Sequence, residues 1–158
     1  MEYIENRPFD EINVGDTAEL VRTLTAQDID VFAIMSGDVN PAHVDAEYAQ
    51  DDIFHKIIAH GMWGGALIST VLGTKLPGPG TIYLKQSLTF LKPVGIGDTV
   101  TVRVRVTEKQ DEKKRLVLDC ECLNGKGEPV IKGEALVIAP QEKIRRPRVV
   151  MPDILLHR

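Results

Sequence analysis

Cysteine is nearly absent from this 158-residue chain, which contains only two, and the shortage limits both disulfide and metal chemistry. Cys120 and Cys122 lie in the stretch RLVLDCECL, whose alternation predicts a strand. Residues two apart on a strand share a face with Cα atoms roughly 6.5 Å apart, a poor geometry for a disulfide between them. Two lone cysteines also make a weak zinc site. We therefore expect reduced packing residues, consistent with a reducing cytoplasm.

Long apolar runs, an excess of one charge and nucleotide-binding motifs are also missing. No apolar run reaches about 18 residues, so the sequence predicts no transmembrane helix. The net charge of -4 gives no general attraction to nucleic acid or to anionic membranes. The acidic opening MEYIE does not resemble a signal peptide, and neither a phosphate-binding loop nor a dinucleotide fingerprint occurs. No metal-ligand spacing stands out, so we expect no metal.

The whole chain is long enough for one domain. Its first third contains a strand and a helix with clear boundaries. The strand is predicted at about Thr17 to Leu24. Thr25 to Asp28 then resemble a capping box, and the helix that follows should stop near Gly37. Pro41 disfavours helical geometry at the residue before it, so we expect a turn there and no regular helix. A short helical piece, AEYAQ, is expected next, with Asp45 as its cap.

The segment from Met62 to Leu72 carries no charge and has apolar residues on every side. Such a helix lies either in a membrane or at the centre of a domain, and this one is too short to span a bilayer. Gly64 and Gly65 would each cost roughly 1 kcal/mol relative to Ala inside a helix. Their presence suggests that another backbone packs very close to them. The sequence therefore predicts a central, buried helix.

After this helix the apolar period changes to two, which is typical of strands. The stretches IYLKQSLTF and TVTVRVRV alternate, and LVLDCEC and PVIKGEALVIA follow, separated by short turns. Short turns between successive strands favour antiparallel pairing. The element order indicates an α+β domain in which one long sheet curls around one apolar helix. The alternation is lost near the end, so residues 1–139 are predicted to form the domain and residues 140–158 a C-terminal tail or the start of a linker.

The stretch SGDVNPAH places an acid and a histidine on the two sides of a rigid turn. Asp38 and His43 bracket Asn40 and Pro41, so their side chains could converge on one cavity. A carboxylate and an imidazole that share a water molecule form an acid/base pair suited to adding or removing water. The alternative, from spacing alone, is that Asp38 caps a turn and His43 is a structural histidine with satisfied hydrogen bonds.

A second element, HGM, stands at the start of the predicted central helix. A helix N-terminus presents free N–H groups and the positive end of its dipole, and Gly61 lets a ligand approach without a Cβ in the way. A carbonyl that develops enolate character could be held there, as in an oxyanion hole. The alternative for Gly61 is that it merely eases a tight turn. His60 either supports the site from behind the reacting groups or caps that turn. His55 and His157 are expected at the surface.

Together, SGDVNPAH with Ala49 after it, then HGM and YLKQSLTF, resemble the MaoC-like family of (R)-specific enoyl-CoA hydratases over roughly Pro8 to Ala139. Met35 and Ala42 depart from the family's usual residues, at packing positions. The resemblance implies a hot-dog fold, in which an antiparallel β-sheet wraps around a long central α-helix. It also implies homodimers with active sites near the subunit interface. The implied reaction is syn hydration of trans-2-enoyl-CoA to (R)-3-hydroxyacyl-CoA.

The resemblance further implies roles for individual residues. Asp38 and His43 become the catalytic dyad, and the N–H of Gly61 binds the thioester oxygen. Ser36 and Asn40 support the dyad by hydrogen bonding. No metal and no separate cofactor are implied, because coenzyme A is part of the substrate and an oxyanion hole takes the place of a metal.

The acyl chain must then run alongside the central helix, because the thioester oxygen lies at that helix's N-terminus. Met62, Ser69 and Leu72 are therefore candidate pocket residues, and the bulky Leu72 should limit the depth and favour short chains. The alternative is that Leu72 packs against the sheet.

Two other functions compete with hydration, since hot-dog domains host several activities. One is acyl-CoA thioesterase action at the same cleft, against which the SGDxNPxH motif weighs. The other is a non-catalytic acyl-CoA-binding or subunit-interface module, which an intact dyad makes the least favoured.

Overall fold

The computed structural model describes residues 2–158, which form seven strands, four α-helices and a short 3-10 turn. The strands are β1 (Tyr3–Glu5), β2 (Thr17–Thr23), β3 (Ile82–Phe90), β4 (Thr99–Gln110), β5 (Arg115–Leu123), β6 (Pro129–Ile138) and β7 (Arg145–Pro147). The helices are α1 (Ala26–Ser36), α2 (Pro41–Val44), α3 (Ala46–Asp51) and α4 (Gly61–Thr74). In these residues no helix is both long enough and apolar enough to cross a membrane.

Five strands form one antiparallel sheet in the order β2-β4-β5-β6-β3, so β2 and β3 are its edges. The alternation in the sequence sets which face is buried: Val100, Val102 and Val104 of β4 have no exposed surface, whereas the residues between them do. These valines share a core with the apolar side of α4. The sheet therefore wraps the central helix, and the predicted α+β hot-dog architecture is confirmed.

The residues predicted to cap helices in the first half of the chain do so in the structure. The capping box of α1 is complete, because Asp28 N donates to Thr25 Oγ1 and Thr25 N donates to Asp28 Oδ2, each at 3.1 Å. Gly37 closes the same helix in the left-handed conformation, with φ of 78°. Asp45 caps α3 by accepting the N–H of Tyr48 at 3.1 Å. These bonds fix both ends of the segment that carries the dyad.

The turn predicted at Pro41 is in fact the start of a one-turn helix, α2, so this prediction was wrong. Asn40 is the N-cap, with Oδ1 accepting the N–H of Ala42 at 3.1 Å. Pro41 occupies the first helical position, where its fixed φ suits a helix and its missing N–H has no partner to lose. The proline does restrict the residue before it, but that restriction begins a helix instead of preventing one.

The central helix α4 is buried on one side and uncovered on the other. Gly64 lies in the core, where an added Cβ would stand 2.3 Å from Cδ1 of Ile131 on β6. The close neighbour is thus a side chain, not the backbone that the sequence suggested. On the opposite side Met62 and Ser69 remain exposed within a single chain.

β1 and β7 pair and join the two ends of the chain, which no sequence pattern indicated. The adjacent Asn6 is 1% exposed and donates from Nδ2 to the carbonyls of Pro79 and Glu142, both at 2.9 Å. Its Oδ1 accepts the N–H of Ile144, also at 2.9 Å. One side chain therefore ties three separate segments together, and part of the predicted tail is paired with the start of the domain.

Both cysteines are free and buried, which confirms the prediction of reduced packing residues. They lie on the inner face of β5, within the core. Burial raises the pKa of Cys120 and of Cys122 to about 11, so both thiols stay protonated and unreactive at neutral pH.

Candidate active site

The turn that carries the dyad is held by a series of bonds between side chains and the backbone. Ser36 Oγ donates to the carbonyl of Phe32 at 2.7 Å and accepts the N–H of Asp38 at 3.1 Å. Asp38 Oδ1 in turn accepts the N–H of Asn40 at 3.1 Å. Ser36 and Asn40 thus contact Asp38 through backbone groups, in support of the roles predicted for them. Asp38 itself is exposed in the single chain.

His43 is the half-buried member of the predicted dyad and lies on α2. Its Nδ1 is 2.8 Å from the carbonyl oxygen of Ile58. A carbonyl can only accept, so Nδ1 carries a hydrogen, and in the neutral ring Nε2 therefore keeps the lone pair. The ring therefore presents a proton acceptor on its other side, as a general base requires.

His60, the residue before α4, brings the dyad and the helix N-terminus together. It is 3% exposed, and its Nε2 donates to the backbone carbonyl of Asp38 at 2.9 Å. The ring stacks on His43 with centroids 4.0 Å apart and an angle of 26° between the planes. A carboxylate oxygen of Asp38 and one ring nitrogen from each of His43 and His60 lie within 4.8 Å of one another. The structure thus brings the two histidines and the acid into one cluster.

Gly61 is the first residue of α4, so its N–H has no acceptor within the helix. The ring of Phe90, from the edge strand β3, lies against it: a Cβ at Gly61 would stand 2.9 Å from Cε1 of that ring. Glycine leaves room for this ring to pack against the start of the helix. Gly61 thus presents a free N–H at the start of the central helix, and its oxyanion-binding role stays a prediction.

One cavity of about 270 Å³ opens beside these groups. His43, His60 and Gly61 line it, and its remaining wall is mostly apolar, with Trp63, Phe90, Cys122 and Ile131 among the side chains. This cavity thus places the imidazole of His43 and the N-terminus of α4 beside a largely apolar wall.

A second groove of about 460 Å³ runs along the uncovered side of α4, between α1 and β3. Met62 and Ser69 line it, seven positions apart on one helix face. Leu72 does not line it: it is 1% exposed and belongs to the core. This burial fits the alternative that Leu72 packs against the sheet, and its role as the end of an acyl tunnel stays a prediction.

An antiparallel sheet around one helix, with an acid and a histidine at that helix's N-terminus, defines the class of hot-dog hydratases and dehydratases. The model of the family described as MaoC like domain matches residues 12–120, and the chain belongs to this family. It is 50% identical to an (R)-specific enoyl-CoA hydratase of Rhodospirillum rubrum over 132 residues, which is 84% of this chain and 91% of that protein. It is also 44% identical to a 3-hydroxybutyryl-CoA dehydratase of Methylorubrum extorquens over 135 residues, which is 85% of each chain.

Solved structures show the same relationship. The unliganded R-hydratase PhaJ1 from Pseudomonas aeruginosa superposes with a TM-score of 0.94 at 42% identity, covering 99% of this chain and 100% of that one. The (R)-hydratase of Aeromonas caviae gives a TM-score of 0.79 at 40% identity, over 82% of this chain and 98% of that one. The predicted family and fold are thereby confirmed, and the PhaJ1 match extends through nearly all of residues 140–158.

Proposed function

We propose that this protein is an (R)-specific enoyl-CoA hydratase, which adds water to trans-2-enoyl-CoA to give (R)-3-hydroxyacyl-CoA and also catalyses the reverse dehydration. The single observation that carries the proposal is the cluster at the start of α4. There a carboxylate oxygen of Asp38 lies within 4.8 Å of a ring nitrogen of His43 and one of His60, and His43 and Gly61 line one mostly apolar cavity. The enzymes named above, at 50% and 44% identity, act in this reaction in one direction or the other.

The reaction can be written with these groups alone. A water held between Asp38 and His43 bonds through its oxygen to Cβ of the enoyl group, while its proton passes to the dyad. The electron pair of the double bond moves toward the thioester oxygen, where the N–H of Gly61 and the helix dipole stabilise the negative charge. The dyad then returns one proton to Cα. Because both additions come from the same side of the substrate, hydration is syn.

The proposed chemistry needs no metal and no separate cofactor, since the oxyanion site stabilises the enolate and coenzyme A enters as part of the substrate. We also propose a cytoplasmic location, which the two buried free thiols support.

The test of this function is hydration of crotonyl-CoA by the purified protein, followed as loss of the enoyl absorbance, with the configuration of the product determined. Formation of the (R)-alcohol without thiol release is the expected result. Release of free coenzyme A would instead indicate thioesterase activity. Tight binding of crotonyl-CoA without turnover would indicate a non-catalytic binding module.

We propose that the active form is a homodimer, or an assembly built from it, in which the β3 edges of two chains pair. β3 has one unpaired side and carries apolar side chains that are 39–55% exposed, namely Ile82, Tyr83 and Leu84. Pairing two such edges would satisfy their free backbone groups and cover the groove along α4.

Light scattering at micromolar concentration should therefore give at least a dimeric mass. Leu84→Glu places two like charges at the paired edge, and we expect it to yield monomers with little hydratase activity. Val150→Glu, at a residue 92% exposed on the C-terminal segment, is the matched control and should stay dimeric and active. A fully active monomeric protein would contradict this assembly.

We further propose that the acyl chain follows the groove along α4 past Met62 toward Ser69, a rise of about 10 Å at 1.5 Å per residue. Ser69→Leu fills its far part and should reduce kcat/KM for eight-carbon enoyl-CoA by about tenfold, while the four-carbon substrate is little affected. The longer acyl chain would lose the burial of two methylenes, and at about 0.8 kcal/mol each this loss accounts for the difference between the two substrates. Ser69→Ala is the control and should keep the native profile. Equal losses for both chain lengths would place the acyl chain elsewhere.

A further inference from the structure

His60 is a buried polar side chain to which the proposed reaction assigns no proton transfer. The described part of the chain provides no hydrogen-bond partner for its Nδ1, and the side chain does not cap the helix it precedes. Its one side-chain hydrogen bond goes from Nε2 to the backbone carbonyl of Asp38, 22 positions earlier. A buried histidine that leaves one ring nitrogen without a hydrogen bond lowers the stability of the fold. The hydrogen bond that His60 does make therefore needs an explanation.

The ring of His60 also lies between two others. On one side it stacks on His43 at 4.0 Å, and on the other it contacts Phe32 of α1 at 4.7 Å between centroids. His60 thus touches α1, the turn with Asp38 and the helix with His43, and it is covalently bonded to Gly61. No other described residue links both halves of the site in this way.

We propose that His60 is a positioning residue, which sets the distance between the dyad and the oxyanion-binding N–H of Gly61. This inference rests on the proposed hydratase function. In that reaction the dyad must reach Cα and Cβ while Gly61 holds the thioester oxygen of the same substrate. A misplacement of about 1 Å between such groups can lower a rate by about 10²-fold. Two sets of contacts oppose such a displacement. One is the hydrogen bond from His60 Nε2 to the carbonyl of Asp38, and the other is the packing of the His60 ring against His43 and Phe32.

Two substitutions separate the hydrogen bond from the stacking. His60→Phe keeps a ring between Phe32 and His43 but removes the donor to Asp38. His60→Gln keeps an N–H donor of similar reach and removes the ring. We expect His60→Phe to lower kcat for crotonyl-CoA by about tenfold or more, with KM nearly unchanged, and His60→Gln to restore most of that loss. Equal kcat in wild type and His60→Phe would overturn the proposal.

A control distinguishes positioning from loss of stability. Asn6→Ala removes a buried clamp far from the site and should lower the melting temperature while kcat is kept at temperatures where the protein is folded. If Asn6→Ala lowers kcat as much as His60→Phe at an equal loss of stability, His60 is merely structural. In an Asp38→Asn background, the further effect of His60→Phe should shrink to less than about threefold, because groups that act as a unit are non-additive. A full, independent effect there would also overturn the proposal.

The imidazole tautomers give a readout that does not depend on activity. Nitrogen-15 NMR of the wild-type protein should show the hydrogen of His60 on Nε2 and that of His43 on Nδ1, as their carbonyl partners require. The opposite tautomer at His60 would remove the bond to Asp38 and overturn the inference. A wild-type protein with the expected tautomers that hydrates no enoyl-CoA would instead overturn the proposed function, and the assigned reaction with it.

Discussion

Asp38→Asn and His43→Ala should each lower the rate of crotonyl-CoA hydration by at least about 10²-fold, the lower range for a positioned acid/base group. Asn at position 38 keeps the oxygen that accepts the N–H of Asn40, so the turn should hold while the proton-transferring group is lost. Ala at position 43 removes the acceptor Nε2 together with the bond to Ile58. The measurement is kcat/KM for both variants, at equal folded fraction judged by circular dichroism.

The double variant should lose much less than the product of the two single losses, because the pair acts as one unit. Asp153→Asn and His157→Ala repeat the same chemical changes at exposed positions in the C-terminal segment and serve as controls. Both should retain the wild-type rate. Near wild-type turnover by Asp38→Asn or His43→Ala would remove the dyad assignment.

Gly61→Pro should lower kcat by about 10²- to 10³-fold relative to Gly61→Ala, the typical effect of removing one oxyanion donor. Proline deletes the N–H proposed to bind the thioester oxygen, and the first position of a helix tolerates it. His60, the residue before it, already has φ of -56° and ψ of 136°, the extended geometry that a following proline requires.

Gly61→Ala is the matched control because both variants add a Cβ at the same place. That atom would stand 2.9 Å from the Phe90 ring, which is half exposed. The ratio of the two variants therefore isolates the N–H from the steric change. A ratio near one, with both proteins folded, would mean that the thioester oxygen binds another donor.

Much of the fold follows from interactions between residues close in sequence. The capping box at Thr25, the left-handed Gly37 and the alternating valines of β4 each depend on neighbours a few positions away, so their patterns predicted them well. The same locality explains the error at Pro41. A proline restricts the residue before it in a turn and at a helix start alike, and the bond from Ala42 to Asn40 selects the helix.

A sequence motif located the candidate site, but it did not predict the contacts within that site. The residues SGDVNPAH and HGM named Asp38, His43 and Gly61, and the structure brings Asp38 close to His43, while His43 and Gly61 line one cavity. Nothing in the sequence indicated that His60 would donate to Asp38 or stack on His43. The only available signal was a histidine directly before the glycine of the central helix, and it fitted a helix cap equally well.

The sequence by itself determined the α+β class, the antiparallel pairing of β4 with β5 and of β5 with β6, the burial of α4 and the residue types of the dyad. Each of these depends on periodicity or on side-chain chemistry, both of which are local. The sequence did not place β3, which pairs with β6 at the edge of the sheet and not with its successor β4. Only the tertiary structure decided the pairing of β1 with β7, the approach of Ile131 to Gly64 and the separation of Leu72 from Ser69. The first two join segments far apart in the chain. The third depends on which side of α4 the sheet covers, and an all-round apolar helix does not specify that side.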